Sequence, residues 1–217
     1  MIPVKVCGIT SFLDAEKVIE SGASLIGFIF YKKSQRYVNP QDIYSWINRI
    51  NGSVKKVGVF VNEDANLVSE IAKDLKLDFV QLHGQENHDY CAKMIKPVIK
   101  ALHVGNSVDK LDIDNYKVHS LLLDTFDENS YGGTGKSFNW SLLDKVNFNI
   151  PIILSGGLNR FNVLKAIELI KPDAIDLSSG LESSPGKKDY LKIDSFFNTI
   201  KNVKYDSNLF KNNNESK

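Results

Sequence analysis

The chain has 217 residues, of which 42% are hydrophobic and 24% charged, and its 27 lysines and arginines nearly balance its 26 aspartates and glutamates. A chain of this length and composition buries enough apolar surface to fold without disulfides or a structural metal. Its near-neutral charge argues against a nucleic-acid partner, because neutralising phosphates requires an excess of clustered basic residues.

The cysteine content and the shortness of the apolar runs indicate a cytoplasmic protein. Cys7 and Cys91 are the only cysteines, too few for a disulfide framework or a four-ligand zinc site. The first residues form an apolar run without a basic leader. Every apolar run is shorter than the roughly 20 residues that a membrane-spanning helix needs. We therefore expect a cytoplasmic protein without a membrane partner.

Short apolar runs alternate with longer amphipathic stretches along the chain, and turn residues bound each run. The predicted strands are Ile2–Cys7, Leu25–Phe30, Lys56–Val61, Phe79–His83, Val98–Leu102, Ser120–Asp124, Pro151–Leu154 and Ala174–Leu177. The predicted helices are Phe12–Ser21, Pro40–Ile50, Asp64–Leu75, Glu86–Ile95, Val108–Asp114, Trp140–Val146, Arg160–Ile170 and Tyr190–Ile200. One helix follows each strand, and such crossovers make neighbouring strands parallel.

The number and spacing of these units predict the fold class. The strand at Leu25–Phe30 is apolar on both faces, which is typical of a buried parallel sheet. Eight evenly spaced units favour an α/β protein with a closed eight-stranded parallel sheet, a (β/α)8 TIM barrel, over an open doubly wound sheet, which is the alternative. No linker divides the chain, so we expect one barrel domain over residues 1–200. Residues 201–217 form a C-terminal extension, and we expect its last residues to be disordered.

The ends of the first and sixth strands carry groups suited to proton transfer. Catalytic groups in such barrels stand at the carboxyl ends of strands, where Cys7 and Asp124 lie. A thiol and a carboxyl, with ordinary pKa values of about 8.5 and about 4, can both be tuned toward neutrality. On position alone Cys7 could equally be a small buried hydrophobe. Asp124 follows three leucines, so its carboxylate must find a partner or meet solvent.

Two small-residue loops follow the last two strands. The loop after the seventh strand contains Gly156 and Gly157, and the loop after the eighth contains Ser178, Ser179 and Gly180. In TIM barrels a phosphate often lies between these two loops on backbone N–H groups. Glycine suits such a site because it admits close approach and positive φ. Either loop alone could be a simple turn, but the pair predicts a phosphate site.

Three further features stand at the predicted mouth of the barrel. Arg36, in the loop after the second strand, has a planar guanidinium suited to a carboxylate or phosphate, although exposed basic residues are more often solvated. His83 follows the fourth strand beside a glycine, and a lone histidine is as often structural as functional. The glycines of Tyr131–Lys136, after the sixth strand, suit either a mobile lid or a plain flexible loop.

Several segments together resemble one enzyme family, phosphoribosylanthranilate isomerase. They are Lys5-Val6-Cys7-Gly8-Ile9-Thr10, Ser34-Gln35-Arg36-Tyr37-Val38, Val80-Gln81-Leu82-His83-Gly84, Tyr131–Lys136, Leu154–Leu158 and Asp176–Glu182. The resemblance covers Met1 to Ile200, and the joint occurrence of the Cys-Gly-Ile-Thr, Gln-Leu-His-Gly and Ser-Ser-Gly-Leu-Glu motifs is specific. One departure is Gln35, where members of the family often have proline.

The resemblance implies an Amadori rearrangement in tryptophan biosynthesis. N-(5-phosphoribosyl)anthranilate would become 1-(2-carboxyphenylamino)-1-deoxyribulose 5-phosphate, and no cofactor is implied. In this reaction Asp124 would be the general acid that protonates the furanose ring oxygen. Cys7 would be the general base that removes the proton from the adjacent sugar carbon.

The resemblance also implies residues that bind the substrate. Arg36 would hold the anthranilate carboxylate, while His83 and Asp176 would line the pocket. The loops at Gly156–Gly157 and Ser178–Gly180 would take the phosphate. Both a monomer and a homodimer are compatible with the family.

Two other functions remain as alternatives. A related sugar-phosphate isomerase of histidine biosynthesis would be expected to carry carboxylates at two symmetry-related strands, whereas here the first strand ends at Cys7 and the fifth at Ala101-Leu102-His103. A non-catalytic barrel that binds a sugar phosphate would keep the glycine loops and lose the acid and base. The presence of both Cys7 and Asp124 counts against it.

Overall fold

In the computed structural model of the protein, residues 1–50, 52–105, 107, 113, 115–126, 139–143 and 146–210 are described. The barrel strands are β1 Val4–Cys7, β2 Leu25–Ile29, β3 Lys55–Phe60, β4 Phe79–Leu82, β5 Val98–Val104, β6 Ser120–Thr125, β7 Ile152–Leu154 and β8 Ala174–Leu177. Neighbours in the chain pair in parallel, and β8 pairs with β1 to close the sheet. The predicted (β/α)8 barrel is confirmed, and the open-sheet alternative is wrong.

The α-helices within the described residues are α1 Phe12–Glu20, α2 Pro40–Ile47, α3 Ala65–Asp74, α4 His88–Cys91, α5 Val163–Ile170 and α6 Tyr190–Ile200. Five of them begin at a side chain that accepts a hydrogen bond from an otherwise unpaired backbone N–H, namely Ser11, Asn39, Asp64, Asn87 and Asp189. These caps define where each crossover enters its helix. Among the described helices, none is long and apolar enough to cross a membrane.

The fourth helix is shorter than the predicted Glu86–Ile95, because the side chain of Glu86 turns into the protein. The Glu86 carboxylate accepts hydrogen bonds from the N–H groups of Asn62 at 2.7 Å and Gly84 at 2.9 Å. It also accepts one from the ammonium of the buried Lys100 at 2.7 Å. These contacts hold the loop after β4 against the barrel, so the helix begins two residues later and makes one turn.

Two later helices also differ from the prediction. The start of the expected α-helix Trp140–Val146 is a 3-10 helix over Trp140–Leu143, and residues 144 and 145 of that expectation lie outside the described residues. The fifth α-helix begins three residues after the predicted Arg160, because Asn162 Oδ1 accepts the N–H of Asn159 at 2.8 Å and forms a turn ahead of the helix.

Two predictions fall on residues that are not described. The expected helix Val108–Asp114 lies outside the described residues except for Ile113, and the expected lid at Tyr131–Lys136 lies entirely outside them. Both remain predictions.

A small hairpin after β8 was not predicted. A 3-10 helix at Ser179–Leu181 leads into β9 Glu182–Ser184, which pairs antiparallel with β10 Lys187–Lys188. The hairpin precedes α6 and brings two charged residues, Glu182 and Lys188, to buried positions at the mouth of the barrel. It therefore contributes to the site as well as to the fold.

Alternate strand residues fill the barrel interior in layers. The apolar layer near the amino ends of the strands contains Leu25, Val57, Phe79, Ile99, Ala101, Leu122, Ile153 and Ala174. Side chains on one face of a strand recur every two residues, so the next inward positions lie closer to the carboxyl ends. In β4, β6 and β8 those positions are Gln81, Asp124 and Asp176. The interior therefore changes from apolar to polar along the barrel axis.

The chain beyond α6 completes the apolar layer. Leu209 is 1% exposed and packs with the inward side chains of this layer. Asp173 holds the two residues before Leu209 in place. The carbonyl of Asp173 accepts the Ser207 hydroxyl at 2.6 Å, and its carboxylate accepts the Asn208 N–H at 2.9 Å. The barrel core therefore includes a residue beyond the predicted boundary at residue 200. Residues 211–217 are not among the described residues.

Leu209→Ala is expected to lower the free energy of unfolding by about 2 to 5 kcal/mol, because it leaves a cavity in a packed layer. Turnover by the folded protein should be unchanged, since Leu209 packs in the apolar layer, on the amino-terminal side of the polar layer. Urea unfolding measures the loss. Phe210→Ala is the matched control: Phe210 is 46% exposed, so its loss should stay below about 1 kcal/mol. Equal losses for the two variants would contradict the packing role of Leu209.

Candidate active site

A pocket opens at the carboxyl end of the barrel, where the interior becomes polar. Inward residues of the strands line it together with residues from the loops after β2 and β8. The structure brings six predicted site residues to this pocket, namely Cys7, Arg36, His83, Asp124, Asp176 and Ser178. Among the predicted phosphate ligands, Gly156, Gly157, Ser179 and Gly180 belong to the loops that carry Ser155 and Ser178 to the pocket wall.

Cys7 stands at the end of β1, 6% exposed, between two ammonium groups. The Lys5 ammonium lies next to its sulfur, and Lys188 Nζ donates to its carbonyl at 2.6 Å. A Cβ on Gly27 would lie 2.9 Å from Cys7 Sγ and 3.3 Å from Lys5 Nζ, so glycine leaves the space that both groups occupy. Burial raises the pKa of the Cys7 thiol, while the charges of Lys5 and Lys188 act to lower it.

Asp124 stands at the end of β6, three strands away from β1 around the barrel. Its Oδ1 accepts the Thr125 N–H at 2.8 Å, and its Oδ2 lies 3.3 Å from His83 Nε2. Burial acts to raise the pKa of the Asp124 carboxyl, but His83 and the Thr125 N–H outweigh burial and hold the pKa below its usual value. At neutral pH Asp124 is therefore a carboxylate.

Gln81 orients the histidine beside Asp124. The amide nitrogen of Gln81 lies 2.8 Å from His83 Nδ1, an arrangement in which Nδ1 accepts and Nε2 carries the proton. His83 Nε2 lies 3.3 Å from Asp124 Oδ2 but without hydrogen-bond geometry. Within the described part of the chain, Oε1 of the 1% exposed Gln81 has no hydrogen-bond partner, and Gln81 lines the pocket. This oxygen is therefore available to a donor on a bound ligand.

Asp176 lines the pocket as predicted, but one of its oxygens is already engaged. Lys5 and Asp176 are register partners between β1 and β8, and Lys5 Nζ lies 3.0 Å from Asp176 Oδ1. Lys5 is 0% exposed and Asp176 is 6% exposed, so the ion pair is shielded from solvent. The net charge of the ion pair is zero, and its ammonium lies next to the sulfur of Cys7.

Arg36 reaches the pocket, but the structure gives its guanidinium an acidic partner within the protein. Nε and Nη2 of Arg36 donate to the carboxylate of Glu182 at 3.0 and 2.8 Å. Glu182 also accepts Lys188 Nζ at 2.9 Å. Burial acts to raise the pKa of Glu182, but these two cations lower it below its usual value. Two cations share one carboxylate, which leaves the cluster with one net positive charge at the pocket wall.

The loops after β7 and β8 touch each other, and three glycines are required there. Gly156 and Gly157 have φ of 88° and 63°, a region that favours glycine. A Cβ on Gly156 would collide with the Thr125 hydroxyl, and a Cβ on Gly180 would collide with the Leu158 carbonyl. The two predicted phosphate loops are therefore neighbours at one side of the mouth.

Four charged or polar site residues were missed by the sequence reasoning. Lys5 could have been found, because the two-residue period of a strand places it on the same face as Cys7. Gln81 and Glu182 lie inside motifs that were recognised, but neither was assigned a role. No pattern pointed to Lys188, because the hairpin that carries it was not predicted.

Comparisons with known proteins identify the family of the chain. Residues 4–199 match the family described as N-(5'phosphoribosyl)anthranilate (PRA) isomerase. The N-(5'-phosphoribosyl)anthranilate isomerase of Trichlorobacter lovleyi is 44% identical over 202 residues, which cover 93% of this chain and 98% of the relative.

Two solved structures are similar over nearly the whole chain. A phosphoribosyl anthranilate isomerase in complex with reduced 1-(o-carboxyphenylamino)-1-deoxyribulose 5-phosphate is 40% identical, has a TM-score of 0.79, and is matched over 94% of this chain and 100% of its own. Monomers generated from the dimeric enzyme of Thermotoga maritima are 39% identical, with a TM-score of 0.80 and the same coverage. The profile match and these relatives show that the chain belongs to the N-(5'-phosphoribosyl)anthranilate isomerase family.

Proposed function

We propose that this pocket carries out the isomerisation of N-(5'-phosphoribosyl)anthranilate with Asp124 as general acid and Cys7 as general base. The chain is an aldose–ketose isomerase of tryptophan biosynthesis by family. The observation that supports the two roles is that the thiol and the carboxyl line one pocket from strands on different sides of the barrel. An aldose-to-ketose shift needs an acid and a base at two sites of one sugar.

The first step is protonation of the furanose ring oxygen by Asp124, which opens the ring to a Schiff base. Asp124 must gain a proton to act as an acid, and the groups around it favour its carboxylate form. The substrate brings a carboxylate and a phosphate, and added negative charge raises the pKa of a nearby carboxyl. Substrate binding therefore prepares the acid.

The second step is removal of the proton from the adjacent sugar carbon by Cys7. The thiolate is the basic form, and burial among apolar strand residues disfavours it. Lys5 and Lys188 oppose this effect. The resulting enolamine tautomerises to the ketone product.

The two anionic ends of the substrate match two separate features of the pocket. The paired glycine loops after β7 and β8 suit the phosphate, with Ser178 on the pocket wall. The cluster of Arg36, Lys188 and Glu182 carries one net positive charge and suits the anthranilate carboxylate. Glu182 holds the guanidinium of Arg36 in a single orientation, so the ligand does not have to order it.

Turnover of freshly generated phosphoribosylanthranilate tests this proposal, because loss of its anthranilate fluorescence reports the reaction. Rapid loss with formation of the ketose product is expected. A folded protein that binds the product but causes no loss would instead support a non-catalytic sugar-phosphate barrel. Turnover of the histidine-pathway aldose is not expected, since the inward position near the end of β5 carries His103 where that reaction would require a carboxylate.

Arg36→Ala is expected to raise KM by at least about tenfold while changing kcat less, because a carboxylate ligand acts in both the ground state and the transition state. Steady-state kinetics separate the two parameters. Lys33→Ala is the matched control, since Lys33 is an exposed cation of the same loop. A loss confined to kcat would show that Arg36 orients the reacting carbon instead.

Two further properties are part of the proposal. Both cysteines are free and buried, which fits a reducing cytoplasm. The assembly is a monomer or a homodimer, and the related Thermotoga maritima enzyme is described as dimeric.

A further inference from the structure

A fully buried lysine lies beneath the proposed catalytic base. Lys5 is 0% exposed, and its side chain shares the inner face of β1 with Cys7. Moving an ammonium group out of water is costly unless it is paired and hydrogen-bonded, and an apolar side chain would fill this layer at no such cost. The presence of a charge here therefore calls for a specific role.

The contacts of Lys5 connect it to the site. Its Nζ lies 3.0 Å from Asp176 Oδ1 and next to the sulfur of Cys7. Gly27 on β2 leaves the space for both groups, because a Cβ there would approach Cys7 Sγ to 2.9 Å and Lys5 Nζ to 3.3 Å. Asp176 holds the ammonium from β8, so a rigid ion pair places a positive charge against the sulfur.

Charged or titratable groups surround Cys7 on its own strand, on β8, on β10 and across the pocket. Lys5 shares its strand, Asp176 faces it from β8, and Lys188 approaches from β10. Across the pocket are Asp124 and His83. Lys188 is already bound to the carboxylate of the hairpin at 2.9 Å and to the carbonyl of Cys7 at 2.6 Å, whereas the ammonium of Lys5 lies next to the sulfur itself.

We propose that Lys5 is a positioning residue for the reaction, whose ammonium stabilises the thiolate form of Cys7 while Asp176 holds that ammonium in place. The inference rests on the proposed role of Cys7. When the thiolate acts, an S–H bond forms and the C–H bond of the sugar carbon breaks. The electron pair of that bond enters the new C=C bond, and the pair of the Schiff base C=N bond moves to nitrogen. Lys5 keeps its proton throughout.

The competing explanation is that Lys5 only neutralises Asp176. The two explanations differ in what happens to the thiol. Removing Lys5 also exposes the charge of Asp176, which acts on the thiol, so the two explanations are separated where Asp176 is neutral. There, a mere counterion of Asp176 would leave the ionisation of Cys7 unchanged when it is removed, whereas a stabiliser of the thiolate would still shift it. A change in stability alone would not separate them.

The test measures Cys7 ionisation directly, in a Cys91→Ala background that leaves Cys7 as the only thiol of the chain. The rate of alkylation by iodoacetamide is followed against pH, together with the pH dependence of kcat/KM. In Lys5→Met the alkylation midpoint should rise by at least about one pH unit, so alkylation below the midpoint slows at least about tenfold. The rising limb of kcat/KM should move by the same amount, and raising the pH should restore activity.

Two further variants make the result specific. Lys5→Arg keeps the charge and should restore most of the shift. In an Asp176→Asn background, where Lys5 has no carboxylate to neutralise, adding Lys5→Met should still raise the alkylation midpoint, and equal midpoints with and without Lys5 would show that it only neutralises Asp176. If Lys5→Met alone does not fold, as judged by circular dichroism, this double variant, which removes both charges of the ion pair, still decides the matter.

Midpoints that agree within about 0.3 pH unit across the variants would overturn the proposal. So would an alkylation shift that the kcat/KM limb does not follow. Absence of turnover in the parent protein at every pH would overturn the proposed function instead, because alkylation reports the coupling of Lys5 and Cys7 without any turnover.

Discussion

Cys7→Ser is expected to lower kcat at least about a hundredfold, the lower range for removing one general base. The hydroxyl has nearly the same shape as the thiol, so the pocket should stay intact and the product should still bind. The hydroxyl is a far weaker acid than the thiol, so the ammonium of Lys5, which lies next to the sulfur, cannot ionise it at neutral pH. Loss of anthranilate fluorescence under saturating substrate measures the effect.

The matched control is Cys91→Ala. Cys91 is buried at the end of α4, outside the pocket lining, and burial raises the pKa of its thiol to about 11. It therefore remains a neutral thiol and takes no part in proton transfer. We expect the control to change stability and to leave kcat unchanged. A loss of less than about tenfold in Cys7→Ser would refute the assignment of Cys7 as the base.

Asp124→Asn is expected to lower kcat at least about a hundredfold, because the amide cannot deliver a proton to the ring oxygen. The amide oxygen can still accept the Thr125 N–H that the carboxylate accepts at 2.8 Å, so the loop after β6 should keep its geometry. Product affinity is expected to change little. A non-catalytic binding barrel would show no turnover with or without the substitution, and its affinity for the product would be the same in both forms.

Asp89→Asn serves as the control for this substitution. The side chain of Asp89 is 79% exposed on α4 and takes no part in the pocket. Single-turnover measurements of both variants separate the chemical step from product release. If Asp124→Asn loses less than about tenfold in the single-turnover rate while the control is normal, another group must protonate the ring oxygen.

Much of the fold could be predicted because it depends on local patterns. The apolar strand at Leu25–Phe30 and the regular strand–helix alternation predict a parallel sheet covered by helices, and closure follows from eight equal units. The same patterns place Cys7 and Asp124 at strand ends. The prediction failed where a long-range contact competed with helix propensity, as at α4, where Glu86 is drawn inward to Lys100.

The sequence by itself determined that the chain forms a barrel and that the catalytic groups lie at the carboxyl ends of its strands, because the strand period and the strand ends are local properties. Only the tertiary structure decided which charges are paired. Lys5 meets Asp176 across 171 residues and Arg36 meets Glu182 across 146, because barrel closure sets β1 against β8 and the hairpin after β8 folds over the mouth. No spacing in the sequence encodes these partners. They form only when the register of the closed sheet brings buried charges within reach of each other, where desolvation makes pairing obligatory.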